Sequence, residues 1–158
     1  LLVYAARLIG KQEAEDVVQQ AFLQAYRNLA GFDPHLTFNA WMYRIVHNTA
    51  VNTARRHHST VPTELELDGE TVEILTGNTD LPAETEKVEL EERVTHALDR
   101  LDQRSRDVLL LSVVEGKSYS EIADILMVAV NSVGPTVSRA KGKLRQFLDS
   151  SETEPRRK

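Results

Sequence analysis

Residues 118–145 read SYSEIADILMVAVNSVGPTVSRAKGKLR, and this stretch decides the fold. Ser118 and Glu121 form the capping-box pattern that begins a helix, and apolar residues follow it at helical spacing. A brief turn at 128–131 leads to a last helix whose outer side is rich in Lys and Arg. A short helix, a tight turn and a basic helix are typical of a helix-turn-helix DNA-binding unit. A helical hairpin with a solvated basic end is the alternative for this stretch.

Amphipathic helices are also predicted on the N-terminal side of this unit. Apolar residues recur at spacings of three and four over Glu13–Ala30, Phe38–His57 and Val88–Leu101. Thr37 and Asp102 are positioned to cap helices. We expect the first of these helices to bury Val17, Val18, Ala21, Phe22, Ala25, Tyr26 and Leu29. We expect the second to bury Phe38, Trp41, Met42, Ile45 and Val46, with His47 on its polar side.

The charge is unevenly divided along the chain. The net charge is −5, yet residues 59–86 hold eight acids and no base, and the remainder carries 16 acids against 19 bases. The acidic stretch also contains two Pro and two Gly and no sustained helical period. We interpret it as a flexible linker between two domains, with a surface loop inside one domain as the alternative. The predicted fold is therefore all-α, with helical domains at 1–58 and 88–150, a linker at 59–87 and a disordered tail at 151–158.

The composition excludes several classes of protein. The 158 residues contain no Cys, which removes disulfides, thiolate zinc sites and Cys nucleophiles. A Gly-rich phosphate loop, a nucleophile elbow and an HExxH metal motif are missing from the sequence, so we expect no enzyme, metal or cofactor. No apolar run is long enough to span a bilayer, and residues 1–9 lack the features of a signal peptide. We expect a cytoplasmic protein without membrane insertion.

Three segments together resemble one protein family. Residues 14–33, AEDVVQQAFLQAYRNLAGFD, and residues 38–56, FNAWMYRIVHNTAVNTARR, are similar to region 2 of the extracytoplasmic-function sigma factors of bacterial RNA polymerase. Residues 101–145 resemble region 4 of the same family, and the acidic stretch lies where the family has its inter-domain linker. The resemblance covers nearly the whole chain. It implies that further residues of region 2 normally precede Leu1.

The resemblance implies roles for individual residues of the first domain. Those matching the segment that docks on the coiled coil of the largest polymerase subunit are Asp16, Gln19, Gln20 and Phe22. Position 20 is usually acidic in the family and is Gln here. Those matching the elements that bind the single-stranded −10 promoter element are Phe32, Asp33, Asn48, Arg55 and Arg56.

In the second domain the resemblance implies contacts with the −35 element. The matching residues are Ser132, Thr136, Arg139, Lys141 and Lys143. The family usually has cations at the positions of Gly134 and Thr136, so this chain departs from the pattern at the start of its recognition helix. Pro135 would be tolerated if Ser132 were the N-cap, because it would then lie in the first turn.

The resemblance implies a non-enzymatic subunit that directs core polymerase to promoters. Its expected partners are the coiled coil and flap of core polymerase, promoter DNA and an anti-sigma factor. The alternative is a stand-alone helix-turn-helix regulator whose first domain senses a ligand or dimerises. The region 4 pattern fits both proteins, and the two region 2 segments favour the sigma factor.

Overall fold

The computed structural model describes residues 1–56, 69–77 and 84–152, and none of these residues lies in a β-strand. The helices are α1 (Leu2–Ile9), α2 (Lys11–Arg27), α3 (Phe38–Arg56), α4 (Gly69–Thr76), α5 (Glu84–Asp99), α6 (Gln103–Leu109), α7 (Tyr119–Leu126) and α8 (Val130–Glu152). A 3₁₀ turn at Leu29–Gly31 follows α2, and a π-helical turn at Leu110–Val114 follows α6. The all-α prediction is confirmed. Within the described ranges, no helix combines the length and apolar character needed to cross a bilayer.

The helices form two compact units, and the first contains α1, α2, α3 and α7. Tyr4 is fully buried, its ring lies 5.2 Å from that of Tyr43, and its hydroxyl hydrogen-bonds His47 Nδ1 at 3.0 Å. The expectation of a polar, solvated His47 is therefore wrong, because α1 covers that side of α3. Burial lowers the pKa of His47 to about 4, so the ring is neutral at pH 7.

Helix α7 packs on α3 inside the first unit. The predicted capping box is present, since Ser118 Oγ accepts from Glu121 N–H at 3.3 Å and the Glu121 carboxylate accepts from Ser118 N–H at 2.9 Å. Arg44 Nε donates to the Asp124 carbonyl at 2.6 Å. The predicted domain at 88–150 therefore contributes helices to both compact units. The bounds of a separate region 4 domain at 88–150 stay a prediction.

The second unit contains α4, α5, α6 and residues of α8 from Asn131 onward. The π-helical turn is closed by a hydrogen bond from Glu115 N–H to the Leu110 carbonyl at 2.9 Å. This wider turn shifts the helical register, and four consecutive residues from Val108 to Leu111 are buried. Asp102 caps α6 as predicted, because its carboxylate accepts from Ser105 N–H at 3.0 Å.

The expectation of a flexible linker over 59–87 is wrong for the part that the structure describes. Gly69–Thr76 forms α4, and Thr71, Val72 and Leu75 are buried against the second unit. Helix α5 begins at Glu84, four residues before the predicted start. Positions 71, 72 and 75 have helical spacing, but three positions are too few to predict a helix in a stretch rich in acids, Pro and Gly. Residues 57–68 and 78–83 lie outside the described residues, as do 153–158 of the predicted tail.

Helix α8 begins earlier than the sequence predicted. Met127 adopts a left-handed conformation with φ 55° and ends α7, so the connecting turn is complete by Ala129. Ser132 is therefore inside α8 rather than its cap, and Pro135 is the sixth residue of the helix. Pro135 has no N–H to donate to the Asn131 carbonyl, and Asn131 is exposed, so water can solvate that carbonyl.

The packing of α4 predicts unequal effects for two neighbouring substitutions. Val72→Asp would place a charge at a fully buried position and should lower the free energy of unfolding by about 1–3 kcal/mol. Ile74→Asp introduces the same charge on the exposed side of α4 and should change that free energy by less than about 0.5 kcal/mol. Urea unfolding of the full chain measures both. Equal effects of the two variants would contradict the packing of α4 on the second unit.

Buried Asp107 predicts a pH dependence of stability. Burial raises the pKa of Asp107 from 3.8 to about 7, while Gln103 Nε2 donates to its carboxylate at 2.8 Å. A raised folded-state pKa means that the folded chain binds the proton more tightly, so stability falls as pH rises towards and through 7. Compared with a chain that lacks this carboxyl, urea midpoints should fall from about pH 4 to about pH 7.5, while His47 contributes in the opposite direction to both chains because its pKa is about 4 when folded and 6.5 when unfolded. Asp107→Asn should flatten this fall, and an equally steep fall in the variant would contradict the assignment.

Candidate polymerase and nucleic-acid interfaces

Helix α2 buries small side chains and leaves large ones in solvent. Its buried residues are Ala14, Val17, Ala21 and Ala25. The predicted burial of Phe22, Tyr26 and Leu29 is wrong, since these side chains are 53%, 81% and 54% exposed. One side of a helix holds only a stripe about 100° wide, and the four small residues fill it. Because these buried side chains are small, α2 can lie close to α1 and α3. The larger Phe22 and Tyr26 lie on the solvent side of the helix.

The exposed side of α2 carries the residues that the resemblance assigns to polymerase binding. Asp16, Gln19 and Gln20 are exposed, and so is Phe22, one turn after Gln19. Tyr26 is four residues beyond Phe22, so the two rings lie on one side of the helix. We name these five residues the α2 surface. Exposed rings between a carboxylate and amides are typical of a protein-binding surface, because aromatic residues are enriched where partners bind.

An aromatic cluster lies at the start of α3. The Phe32 ring is 5.1 Å from the Trp41 ring and 5.9 Å from the Phe38 ring, both at edge-on angles. Trp41 is buried as predicted, Phe32 is half-buried, and Phe38 is 55% exposed rather than part of the core. The cluster therefore offers solvent an aromatic surface that is fixed from below by Trp41. Such a surface can stack an unpaired base.

The loop between Phe32 and α3 is held by its own polar groups. The Asp33 carboxylate accepts from His35 N–H at 2.9 Å, and the Asp33 carbonyl accepts from Leu36 N–H at 3.0 Å. Thr37 caps α3 as predicted, accepting from Ala40 N–H at 3.1 Å. Asp33 thus shapes the loop that follows Phe32, and its exposed carboxylate also faces solvent.

The outer side of α3 carries the other residues expected at the −10 element. Asn48, Arg55 and Arg56 are exposed. Asn48 and Arg55 are seven residues apart and share one side of the helix. Phe38 and Asn48 are separated by ten residues, or roughly 15 Å along the axis. An aromatic platform, an amide and two guanidinium groups therefore follow one another along α3, in an order that suits a single strand.

In the second unit, α8 presents only part of the set expected at the −35 element. Arg139 is exposed, and Ser132 and Lys141 are half-buried. Lys143 is half-exposed and pairs with Asp102 at 3.0 Å. Thr136 is mostly buried and its hydroxyl donates to the Ser132 carbonyl at 2.7 Å, so little of its side chain is exposed to DNA and its role there stays a prediction. Thr136 lies next to Val137 on the side of α8 that packs inward, together with Val133 and Ala140.

Two exposed residues were missed by the sequence interpretation. Phe38 was assigned to the core because it fits the apolar period of α3, yet the first turn of a helix often projects beyond the core. Arg104 lies at the start of α6 among polar and charged residues, where no apolar period marks it, and it approaches α8 only in the folded unit. Among the described residues, no three His, Asp or Glu side chains are grouped as a metal site.

The chain matches the models of two protein-family regions. Residues 1–60 match the model of sigma-70 region 2, and residues 91–144 match the model of sigma-70 region 4. The first match contains the α2 surface and the outer side of α3. The second contains α6, α7 and most of α8. The match to region 2 disfavours a stand-alone helix-turn-helix regulator.

Individual relatives span most of the chain. The chain is 33% identical over 159 residues to the RNA polymerase sigma factor CnrH of Cupriavidus metallidurans, with 94% of this chain and 81% of that protein covered. It is 29% identical over 150 residues to the ECF RNA polymerase sigma factor SigW of Bacillus subtilis, with 90% and 79% covered. The structure of CnrH in complex with the cytosolic domain of CnrY is similar with a TM-score of 0.64 at 29% identity, covering 94% of this chain and 80% of that one. With both sigma-70 regions in order and this degree of identity to such relatives, the chain belongs to the extracytoplasmic-function sigma factors, which act in transcription initiation.

Proposed function

We propose that this sigma factor docks on core RNA polymerase through the α2 surface and reads promoters with α3 and α8. The observation that carries the proposal is the exposure of Phe22 and Tyr26 beside Asp16 and Gln19. The buried side of α2 is filled by Ala14, Val17, Ala21 and Ala25, and the rings of Phe22 and Tyr26 are 53% and 81% exposed outside it. The partner expected for this surface is the coiled coil of the largest polymerase subunit.

The physical character of the α2 surface supports a protein partner. Burying an exposed aromatic side chain at an interface removes apolar area from water, worth roughly 25 cal/mol per Å². Gln19 and Gln20 offer neutral donors and acceptors, and Asp16 adds one charge that favours a cationic partner group. The Gln at position 20 replaces an acid usual in the family, so more of the binding free energy rests on the rings.

We propose that the −10 element binds along α3. Phe38 and Phe32 supply a ring surface for a base, Asn48 has an amide that can hydrogen-bond a base edge, and Arg55 and Arg56 reach the phosphates. A base bound in this way must be unpaired, because the rings contact its face and not its edge in a groove. Melted promoter DNA is therefore the expected ligand of the first unit.

We propose that the −35 element binds α8 through Arg139, Lys141 and Ser132, with the polymerase flap as a second partner of this region. Lys143 contributes less than the sequence predicted, because Asp102 neutralises it in the free protein. An anti-sigma factor is the expected regulator, by analogy with CnrH in its complex with CnrY. The chain acts without catalytic chemistry of its own, and its partners place it in the cytoplasm.

The α2 surface predicts a loss of polymerase binding without a loss of folding. Asp16→Ala combined with Phe22→Ala should weaken binding to core polymerase at least tenfold, since each central interface contact is worth about 1–3 kcal/mol. Fluorescence anisotropy of the labelled full chain titrated with core polymerase measures this affinity. Circular dichroism of the variant should match the parent, because both side chains are exposed.

The control for this experiment is Glu92→Ala, which removes an exposed acid from α5 in the second unit. It should bind core polymerase like the parent. If the double variant also binds like the parent, the α2 surface is not the docking site.

The outer side of α3 predicts a defect in promoter melting. Asn48→Ala and Phe38→Ala should each lower the yield of open complex several-fold, because a stacked or hydrogen-bonded base contributes about 1–3 kcal/mol. Permanganate footprinting of holoenzyme on a promoter selected by the parent measures melted thymines. Affinity for core polymerase should not change.

Gln146→Ala removes an exposed amide near the end of α8 and serves as the matched control. It should melt the promoter as the parent does. Parental footprints from both α3 variants would remove Asn48 and Phe38 from the −10 site.

A further inference from the structure

Helix α4 is a separate addition to the second unit. It spans Gly69–Thr76, whereas the matches to the two sigma-70 regions cover residues 1–60 and 91–144. The helix therefore lies in the stretch between the two regions, and the region 4 match begins without it. It nevertheless packs in the second unit, on α5 and on the π-helical turn at Leu110–Val114. The region 4 fold by itself does not account for this contact.

Two large apolar side chains hold α4 in place. Val72 and Leu75 are fully buried, and Thr71 beside them is buried as well. Ile74, on the other side of the helix, is half exposed. Helix α4 is thus amphipathic, with its two apolar anchors three residues apart. We name the surface that it covers, formed by α5 and the π-helical turn, the α4-binding face.

The C-terminal end of α4 has a further contact, with α8. Gly77 adopts φ 71° and its N–H donates to the Glu73 carbonyl at 2.7 Å, which ends the helix. A guanidinium nitrogen of Arg145 lies 3.5 Å from the position that a Cβ of residue 77 would take. A cation is favourable at this end of a helix, because the last carbonyl groups carry partial negative charge. Arg145 therefore contributes to the binding of α4.

This contact is small enough to be reversible. Isolated helices need about 12–15 residues to be even marginally stable in water, and α4 has eight. The helix therefore forms because its apolar side is covered, and it unfolds when it leaves the second unit. Two apolar anchors and one guanidinium are opposed by the entropy lost on ordering the segment. A partner that covers more of the same apolar face can therefore take the place of α4.

The α4-binding face has the character of a protein-binding surface. It already accepts a short amphipathic helix, and the elements that form it keep further apolar side chains near solvent. Val88 on α5 is exposed, and Val113 and Val114 at the end of the π-helical turn are half-buried. The face is built from other elements than the exposed side of α8, which we assign to promoter DNA. A protein bound there would not compete with DNA for Arg139.

We propose that α4 is an intramolecular competitor of core polymerase. It covers the α4-binding face in the free protein and leaves when an apolar helix of polymerase takes its place. This inference rests on the proposed function, in which the polymerase flap is a partner of this region. The competition lowers the affinity of the free chain for polymerase, because only the fraction of chains with α4 released can bind through this face. It also keeps an apolar surface out of water until polymerase is bound.

Binding of the full chain to core polymerase tests this competition. Val72→Asp puts a charge in the centre of the contact and should release α4, so we expect it to bind core polymerase about tenfold more tightly than the parent. Leu75→Ala removes the other anchor without adding a charge and should tighten binding several-fold. Fluorescence anisotropy of the labelled chains measures the affinities. Circular dichroism checks folding, and if Val72→Asp is unfolded, Leu75→Ala decides alone.

Ile74→Asp is the matched control, because it adds the same charge on the exposed side of α4. It should bind core polymerase like the parent. A synthetic peptide of residues 66–80 supplies α4 in trans, and a concentration of about 1 mM is comparable to that of a tethered segment. Added to the Leu75→Ala chain, it should return the affinity to near the parental value. The same peptide carrying Val72→Asp should have no effect.

Equal affinities of the parent and the α4 variants would overturn the competition. So would a gain that Ile74→Asp shares, or a gain that the peptide does not reverse. Weaker binding by a folded variant would also overturn it, because α4 would then support the contact with polymerase. Failure of the parent chain to bind core polymerase would instead overturn the proposed function, and this inference with it.

Discussion

The close packing of the small residues of α2 is the constraint on which the first unit depends. Ala14, Val17, Ala21 and Ala25 fill the buried side of the helix, so the neighbouring helices can approach it closely. Large side chains on that side would force the helices apart and disturb the buried Tyr4–His47 contact. The same constraint leaves the larger apolar residues of α2 outside. Core packing thereby creates the surface that we assign to polymerase.

In the function that we propose, the two units differ in the kind of promoter DNA that their surfaces suit. In the first unit, Phe38 and Asn48 on α3 suit an unpaired strand, because rings and amides contact bases that are not in a duplex. In the second unit, the exposed guanidinium of Arg139 on α8 suits the backbone of a duplex. A sigma factor needs both, since it binds the promoter as a duplex and then holds one strand after melting.

Local signals in the sequence predicted the helices and their caps well. Thr37, Asp102 and the Ser118–Glu121 pair act as predicted, because a cap depends only on residues within one turn. Burial was predicted less well. When a helix has apolar residues on more than one side, the helices packed against it decide which side is buried. Phe22 and Phe38 are exposed and His47 is buried for that reason.

The candidate sites could be predicted only in part. Four residues of the α2 surface came from the family resemblance, Tyr26 was added by the structure, and all five are exposed. The burial of Thr136 could not be predicted from sequence, because it depends on which side of α8 packs on the second unit. Arg104 could not be found from sequence at all, because its contact with Ser132 depends on how α6 and α8 pack. Helix α4 was missed because three buried residues are too few to outweigh an acidic surrounding.

Transcription in vitro tests the central claim most directly. Core RNA polymerase would be combined with the full chain and a library of promoter-length duplexes, and the transcripts would be sequenced. The account predicts transcripts that depend on the chain and begin at a fixed distance from a shared pair of sequence elements. Transcripts identical to those of core polymerase alone, from a chain that is folded by circular dichroism, would contradict it.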